Sequence, residues 1–161
     1  MDLRIEPLSR SDMAAVIDLS LLAWAPVFRS FEQVLGSRIY AALYPDWRDQ
    51  QRRVVEDACN DTATFAVCIA RVDGVIAGFI AYTVNAEERT GEVYLLAVHP
   101  DHQNRGIGTA LNTFALGKMR ESGVRLVSVG TGGDPGHAPA RRCYEKAGYT
   151  PMPQVRYFQA L

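Results

Sequence analysis

Apolar residues near the start of the chain recur at spacings of three and four positions. The residues on this spacing are Met13, Val16, Ile17, Leu21 and Trp24. Side chains at these intervals share one face of an α-helix, and a Ser11 or Asp12 oxygen can accept from the unpaired N–H groups of its first turn. The pattern predicts a helix to about Ala23, and Pro26 and Gly36 interrupt the region after it.

The next segment mixes aromatic and polar residues and predicts one or two helices over 27–44, with another over 47–58. From Ala63 the sequence changes to two apolar runs joined at Asp73-Gly74. Asp and Gly tolerate the positive φ that tight hairpins require, so these runs predict two antiparallel strands. Further strands are predicted at 3–5, 92–98, 124–129 and 155–160.

Two more helical faces follow in the second half of the chain. The first consists of Ile107, Ala110, Leu111 and Phe114, and the second of Ala140, Cys143, Tyr144 and Ala147. Gly123 and Gly148 supply C-terminal stops, and Pro139 suits a first helical turn. No repeat or low-complexity linker divides the chain. We therefore predict a single domain over residues 1–161, with a mixed sheet of the α/β or α+β class covered by helices.

Composition narrows the class of protein. The 161 residues are the length of one domain, and 17 basic against 18 acidic residues give no bulk charge that favours nucleic acid or an anionic membrane. The three cysteines lie far apart without a CxxC pair, which fits a reducing cytoplasm. No basic-then-apolar leader opens the sequence, and the apolar segment 19–28 is too short to span a bilayer. We expect a soluble cytoplasmic protein.

Two glycines, Gly106 and Gly108, stand at the start of the helix predicted after residue 106. They indicate either an ordinary turn or a place where an anion approaches the free N–H groups of a helix N-terminus. The P-loop pattern is absent, and Leu111 occupies the third glycine position of GxGxxG. The glycine spacing alone leaves both the turn and the anion site open.

Two motifs resemble those of a known family. The segment 103–108, QNRGIG, looks like the Q/R-x-x-G-x-G/A signature of the GNAT N-acetyltransferases, and it follows the strand-like VYLLAVHP that such proteins carry. The segment 140–149, ARRCYEKAGY, resembles their second motif, A-x-x-x-Y-E-K-x-G-F/Y. Both motifs occur in order with a strand between them, and the order of elements matches over almost the whole chain.

The resemblance implies a central mixed, mostly antiparallel sheet with splayed central strands that admit acetyl-CoA, flanked by helices. The backbone of Leu96, Ala97 and Val98 would pair with the pantetheine arm and hold the acetyl carbonyl. The pyrophosphate would be held by the segment Gln103, Asn104, Arg105, Gly106, Ile107, Gly108 and Thr109. Relatives often contact the arm with an Asn seven residues before the motif tyrosine. This chain has His137 there, behind a glycine-rich loop of the composition typical of a flexible turn.

Acetyl transfer from a thioester needs a neutral amine as the nucleophile. An alkylammonium group is neutral only about once in 2,500 at pH 7, a penalty of roughly 4.6 kcal/mol, so a base assists the reaction. Several relatives have a base at the position that corresponds to Glu92, so the resemblance implies this role for Glu92. Period two puts Glu92 on the strand face of Tyr94 and Leu96, and we expect burial beside Tyr94. The alternative is a solvated carboxylate at the strand entrance.

The departing thiolate needs a proton or a hydrogen bond. Tyr144 is the counterpart of the family's general acid, and helical spacing places it on an inward face with Ala140 and Cys143. The alternative for a tyrosine at this spacing is a residue of the core.

The resemblance implies that the N-terminal helices, which vary in sequence among relatives, form the wall of the acceptor pocket. Trp24 and Phe28 are candidate substrate contacts there, together with Tyr94 from the sheet. Such aromatic residues also form cores. No metal is expected, because His99 and His102 flank a proline turn without a further Cys or His partner.

These observations favour an N-acetyltransferase that moves an acetyl group from acetyl-CoA to a primary amine of a small molecule or peptide by direct attack in a ternary complex. The alternative is a catalytically silent acyl-CoA-binding regulatory or sensor domain. A nucleotide-binding module is a weaker rival. No nucleic acid or membrane partner is expected, and the apolar last strand is compatible with a homodimer.

Overall fold

The computed structural model describes residues 2–161. Its strands are β1 (Leu3–Pro7), β2 (Ala66–Val72), β3 (Val75–Asn85), β4 (Thr90–Val98) and β5 (Leu126–Val129). Its helices are α1 (Met13–Leu35), α2 (Ser37–Leu43), α3 (Trp47–Asn60), α4 (Ile107–Glu121) and α5 (Ala138–Lys146). The strands form one sheet in the order β1-β2-β3-β4-β5, and only the β4–β5 pair is parallel. The predicted mixed, mostly antiparallel sheet flanked by helices is confirmed.

The β2–β3 hairpin turns at the predicted dipeptide. Asp73 and Gly74 have φ of 50° and 86°, so both residues adopt the left-handed conformation that this two-residue hairpin loop requires. The turn fixes the register of β3 against β2, and thereby which β3 side chains face each layer of helices.

One residue of β4, Tyr94, has no partner on β3. Ala81 pairs with Leu95, whereas the next β3 residue, Tyr82, pairs with Val93. Tyr94 is therefore the extra residue of a β-bulge, which reverses the alternation of side chains along the strand. Val93 packs in the core beneath α4, and Leu95 packs in the core on the other face of the sheet.

The bulge overturns part of the expected pattern. The Tyr94 ring lies 4.8 Å from the ring of Phe65, on the sheet face covered by α1 and α3. Glu92 faces this side too, because it directly precedes Val93, which points to α4. Leu96 packs on the α4 side, so the prediction that it shares a face with Glu92 and Tyr94 is wrong.

Helices cover both faces of the sheet. The core beneath α4 is built mainly from residues of β2, β3, β4 and α4, and the core on the opposite face from residues of α1, α3 and the same three strands. Fully buried side chains anchor the two layers: Ile80, Ile107, Leu111 and Met119 on the α4 side, and Val16, Val55, Ile69 and Phe79 on the other. The sheet is thus packed against helices on both faces.

The prediction that the first helix stops near Ala23 is wrong, because α1 runs through Pro26 to Leu35. A proline inside a helix removes the N–H that would bond the carbonyl four residues earlier. That residue is Leu22, which is half exposed, so water can bond its carbonyl instead. Burial of the remaining helix face against α3 and the sheet outweighs the loss of one hydrogen bond.

Asp12 directly precedes α1, but neither carboxylate oxygen caps it. One Asp12 oxygen accepts from Ser9 Oγ at 2.6 Å, and the other accepts from Arg71 Nη2 at 2.7 Å. Both bonds lower the pKa of Asp12, and the bond from Ser9 has the larger effect. Arg71 also donates to Glu6 at 2.6 Å. Asp12 therefore ties the start of α1 to β1 and β2 and does not cap the helix as predicted.

The strand predicted at 155–160 is not formed, and residues 147–161 contain no helix or strand. Several apolar side chains in this tail are exposed: Met152, Val155, Tyr157 and Leu161. Alternation of apolar residues shows that a segment can be one-sided, but a strand forms only where a neighbouring strand supplies hydrogen bonds. The correct prediction for the tail is an extended apolar segment without a sheet partner.

Helix α1 with the turn before it, Arg10–Leu35, is long and apolar enough to cross a membrane by length and composition. The core helix of a globular domain satisfies the same criterion, and α1 buries Val16, Leu19 and Phe28 in this fold. The expectation that this region is too short for a membrane span is therefore wrong as an argument from length. Of its most apolar 18-residue window, 28% is buried, against α3 and the sheet.

Gly78 allows α4 to lie directly on β3. A Cβ at this position would meet the Ala97 carbonyl oxygen at 2.8 Å and Leu111 Cδ1 at 3.1 Å. We expect Gly78→Ala to lower the free energy of unfolding by about 1–3 kcal/mol, the usual cost of overpacking a core. A Cβ at Gly117, within α4, would meet nothing within 4 Å.

Gly117→Ala is the matched control, and it should raise stability by about 0.5–1 kcal/mol because alanine favours the helix. Urea denaturation of both variants measures the two effects. Equal effects of the two substitutions would contradict the assigned close approach at Gly78.

Candidate functional site

The sheet opens between β4 and β5. Thr90 to Val93 pair in parallel with the four residues of β5, ending at the pair Val93–Val129. The rest of β4, residues 94–98, has no β-strand neighbour on that side within the described chain. Leu96, Ala97 and Val98 lie in this part, so their backbone borders the opening, as the sequence predicted. We call this opening the β4–β5 gap.

Helix α4 begins where β4 ends. Gly106 precedes its first residue with φ 78° and ψ 3°, a left-handed conformation that is strained for residues with a side chain. Asn104 is also left-handed, with φ 60°. A Cβ built on Gly106 would meet nothing within 4 Å, so no described atom occupies the place of a side chain at this residue. Unpaired amides and the helix dipole make this a suitable place for an anion.

Side chains from three elements meet beside the start of α4. A Cβ on Gly108 would lie 3.6 Å from Val98 Cγ2 and 3.7 Å from Cys143 Sγ. The Thr109 hydroxyl and the Cys143 thiol are 4.0 Å apart. The end of β4, the first turn of α4 and the middle of α5 therefore converge, and the two sequence motifs share one region.

The rest of the predicted cradle divides into buried and exposed residues. Ile107 is buried in the core and anchors the first turn of α4, while Asn104 and Arg105 are exposed. Gln103 Nε2 donates to the Val98 carbonyl at 3.1 Å and so joins the loop to the strand. The side chain of Gln103 is engaged within the protein, and its remaining contribution to a ligand is its backbone.

Tyr144 is buried in the wall formed by α5. Its ring packs edge to face on the Tyr149 ring at 5.7 Å, and Tyr149 donates to Asn112 Oδ1 at 3.3 Å. Burial, with smaller effects from Cys143 and Tyr149, raises the pKa of Tyr144 far above its usual value. No described residue forms a hydrogen bond with the Tyr144 hydroxyl, so this proton donor remains free for a bound group.

Glu92 lies at the closed end of the gap, where it pairs with Ser128 of β5. Its side chain is exposed, and Tyr94 beside it is 43% exposed. The expected burial of Glu92 against Tyr94 is therefore wrong, because both residues lie on a sheet face that the helices leave partly open. Glu92 remains a carboxylate accessible to water on the α1 and α3 side of the sheet.

The loop between β5 and α5 is fixed in place, in contrast to the flexible turn expected from its composition. His137 Nδ1 and Asp134 Oδ1 form a short hydrogen bond. The other Asp134 oxygen accepts from Ser30 Oγ of α1 at 2.6 Å and from Gly136 N at 3.0 Å. Arg141 donates to the carbonyls of residues 132 and 134. Burial raises the pKa of Asp134, but the bonds from Ser30 and His137 outweigh it and lower that pKa.

The predicted substrate contacts on α1 belong to an aromatic cluster. The Phe28 ring is buried, stacks on Trp47 at 4.5 Å and meets the Tyr44 ring edge-on at 5.3 Å. Trp24 is half-buried against the core of α1 and α3. Phe31 continues the cluster and reaches the ring of His137 at 5.5 Å. Phe28 is thus held within the cluster, and Trp24 and Phe31 expose more of their surface.

The family model described as the acetyltransferase (GNAT) family matches residues 33–149. The chain belongs to the GNAT family. A mycothiol acetyltransferase from Sanguibacter keddieii is 39% identical over 87 residues, which cover 51% of this GNAT chain and 27% of that protein. Another, from Actinosynnema mirum, is 27% identical over 153 residues, which cover 88% of the chain and 50% of the relative. The chain spans between 20% and 27% of the length of the first three curated relatives.

A solved GNAT structure shows the same fold. The PaiA N-acetyltransferase of Thermoplasma acidophilum, in complex with coenzyme A, superposes with a TM-score of 0.71 at 18% identity, covering 93% of this chain and 91% of that one. The predicted fold and family are confirmed. The described residues contain no group of three or more His, Cys, Asp or Glu side chains that could hold a metal ion.

The sequence did not predict a role for three polar residues of this GNAT domain. They are Ser30, Asn112 and Asp134, and all three are buried or nearly so. Ser30 and Asn112 occupy apolar helix faces, where a single polar residue gives no signal of its partner. Asp134 had a signal, since Asp before Pro-Gly favours a local side-chain hydrogen bond, but its long-range bond to Ser30 depends on the tertiary fold.

Proposed function

We propose that this GNAT domain, residues 1–161, transfers the acetyl group of acetyl-CoA to a primary amine. The β4–β5 gap carries the proposal, because the unpaired end of β4 approaches the first turn of α4, where α5, the helix that carries Tyr144, also meets it. An extended amide-containing chain that ends in a pyrophosphate matches this sequence of groups. Coenzyme A has both parts.

The cofactor fits the residues that border the gap. The backbone of Leu96, Ala97 and Val98 would bond the pantetheine amides as a neighbouring strand does. The amides from Gln103 to Gly108, with the exposed Thr109 hydroxyl, would bond the pyrophosphate. His137 directly precedes α5, and a contact to the arm is its predicted role. When bound, acetyl-CoA supplies the activated acyl group.

The chain's own residues would promote the transfer at both ends. Burial raises the pKa of Tyr144, so its hydroxyl keeps the proton at neutral pH. The hydroxyl can hydrogen-bond the departing thiolate and pass the proton to it as the C–S bond breaks. Glu92 is exposed and can take a proton from the amine through water. Trp24, Phe28 and Tyr94 border the side from which an acceptor would arrive. Direct attack then needs only the amine and the thioester bound together.

Acetyl-CoA and a panel of amines test this function. The panel contains spermidine, sisomicin, a peptide with N-terminal alanine and the acceptor of mycothiol acetyltransferases, which the relatives make a leading candidate. Purified protein should release free CoA thiol with at least one acceptor, and mass spectrometry should show that acceptor heavier by one acetyl group. Tight acetyl-CoA binding without thiol release for any amine would favour the silent sensor instead. The free Tyr144 hydroxyl argues against that alternative.

We also propose that the domain works in the cytoplasm without a nucleic acid or membrane partner. The near-zero net charge and the packing of α1 into the core support this. The exposed apolar side chains of the tail support a homodimer, because burying them against a second copy would remove apolar surface from water.

A further inference from the structure

The Asp134–His137 pair is built into the fold by contacts from two helices. Asp134 and His137 have side chains only 8% and 16% exposed. Ser30 of α1 holds the far oxygen of the carboxylate, and Arg141 of α5 holds the loop backbone on both sides of the pair. Neither the core nor the cofactor cradle requires this arrangement.

Two glycines of the loop make the pair possible. A Cβ on Gly132 would collide with Asp134 Oδ1 and His137 Nδ1. A Cβ on Gly136 would meet Ser30 Cβ at 2.7 Å. The loop composition therefore serves close packing around the pair, and the His137 ring cannot turn away without displacing its neighbours.

The position of His137 places it on the same side as the proposed acid. It directly precedes α5 and lies seven residues before Tyr144, which is two helical turns, so the two side chains leave one face about 10 Å apart along the axis. The loop leaves β5 where the β4–β5 pairing ends and then contacts α1. His137 thus lies on the loop between β5 and α5, with its ring against Phe31 of α1.

The hydrogen bond to Asp134 decides which ring nitrogen is available. A carboxylate accepts only, so Nδ1 of His137 carries the proton in this bond. The neutral ring then presents Nε2 as an unprotonated acceptor. We propose that His137, oriented by Asp134, takes the proton of the acceptor amine during acetyl transfer. This inference rests on the proposed function. It makes His137 the residue that takes the amine proton directly, while Glu92 passes protons to solvent.

The proposed acetyl transfer conserves protons and electrons. The ammonium gives one proton to His137 Nε2, and the nitrogen lone pair attacks the thioester carbonyl carbon. The C–N bond forms, the C–S bond breaks, and the thiolate takes a proton from Tyr144. The amide nitrogen loses its second proton, which returns Tyr144 to the neutral form through water, and His137 releases its proton to solvent. The products are the acetamide, free CoA thiol and one proton.

The charged groups around the ring are known. From its own loop the ring faces the Asp134 carboxylate, and from α5 the Arg141 guanidinium is bound to loop carbonyls. From α1 the contacts are Ser30, through Asp134, and Phe31, both uncharged. The Asp134 carboxylate is therefore the charged group in direct contact with the His137 ring.

Four variants test the role of His137: His137→Asn, Asp134→Asn, Glu92→Gln and the exposed control Tyr157→Phe. Each is measured for kcat with the most active amine of the panel (spermidine, sisomicin, the alanine peptide or the mycothiol-type acceptor), for acetyl-CoA affinity by calorimetry, and for Tm. His137→Asn should lower kcat about 100-fold at pH 7. Acetyl-CoA affinity should change much less, because asparagine is the residue with which relatives contact the arm at this position. The deficit should shrink near pH 10, where the amine arrives neutral. Asp134→Asn should show a smaller deficit of the same kind.

Other results overturn the inference. Normal kcat with weaker acetyl-CoA binding makes His137 only a cofactor contact, and a pH-independent deficit with a lower Tm makes it structural. A deficit in Glu92→Gln alone returns the base to Glu92. Absence of thiol release from the wild-type protein with every amine refutes the proposed function rather than this role.

A measurement on the wild-type protein tests the role of His137 even where a variant does not fold. Nitrogen-15 NMR of the unmodified protein with acetyl-CoA should show His137 at pH 7 as the neutral tautomer with its proton on Nδ1. A ring protonated on Nε2 at that pH, as the other tautomer or as the cation, rules out the role of base.

Discussion

Replacing Tyr144 by phenylalanine is expected to lower kcat about 100-fold and to leave acetyl-CoA affinity nearly unchanged. The Tyr144 ring is buried on α5, its hydroxyl forms no hydrogen bond within the described residues, and the hydroxyl keeps its proton because burial raises its pKa. Its removal takes away the proton for the thiolate but no packing atom of the ring. Steady-state thiol release and calorimetry with acetyl-CoA measure the two quantities.

The exposed Tyr157 provides the matched control, since Tyr157→Phe makes the same chemical change on the surface and should leave both quantities alone. The sign of the pKa change gives a second check. A raised pKa keeps the Tyr144 hydroxyl protonated through neutral pH and past 10, so this group should cause no loss of wild-type kcat between pH 7 and pH 10. An unaltered kcat in Tyr144→Phe would return the residue to a packing role.

Gly106→Val is expected to weaken CoA binding by about 10- to 100-fold. Valine is strained at φ 78°, and its branched side chain would occupy the open space in front of the amides. Loss of one hydrogen bond to a charged group is worth about 1.5–3 kcal/mol, which corresponds to this range of affinity. Calorimetric titration of CoA measures the change.

Gly123→Val separates the effect of backbone strain from the effect of a side chain that blocks the amides. Gly123 follows the other end of α4, has φ 81°, and has no atom within 4 Å of a built Cβ. Both variants should lose stability through the same backbone strain, about 1–3 kcal/mol, while only Gly106→Val loses CoA affinity. Similar CoA affinity in the two variants would show that the glycine at 106 serves the turn alone.

The local features of the fold could be predicted from the sequence. The Asp73-Gly74 hairpin and the helix after Gly106 depend on backbone preferences of neighbouring residues, and both form as expected. The approach of Gly108 and Cys143 across 35 residues was not predicted. The family resemblance identified the two motifs, but spacing along the chain does not give distances in space.

The remaining features depend on tertiary contacts. Burial of α1 carries the helix through Pro26, where local preference predicts a break. The network around Asp134 joins residues more than 100 positions apart, and it fixes a loop whose glycines are typical of flexibility. The tail at 155–160 has the alternation of a strand but no neighbour to pair with. In each case the deciding partner is distant in sequence.

The bulge at Tyr94 also affects how relatives of this protein should be compared with it. Since the extra residue reverses side-chain direction, β4 consists of two half-strands with opposite phase: the half with Glu92 and the half with Leu96 and Val98. A relative that lacks one residue here would match in sequence on both sides of the gap and yet turn opposite side chains toward α1 and α3 in one half of the strand. An alignment gap of a single position at 94 therefore changes which β4 residues are compared as facing the same layer of helices.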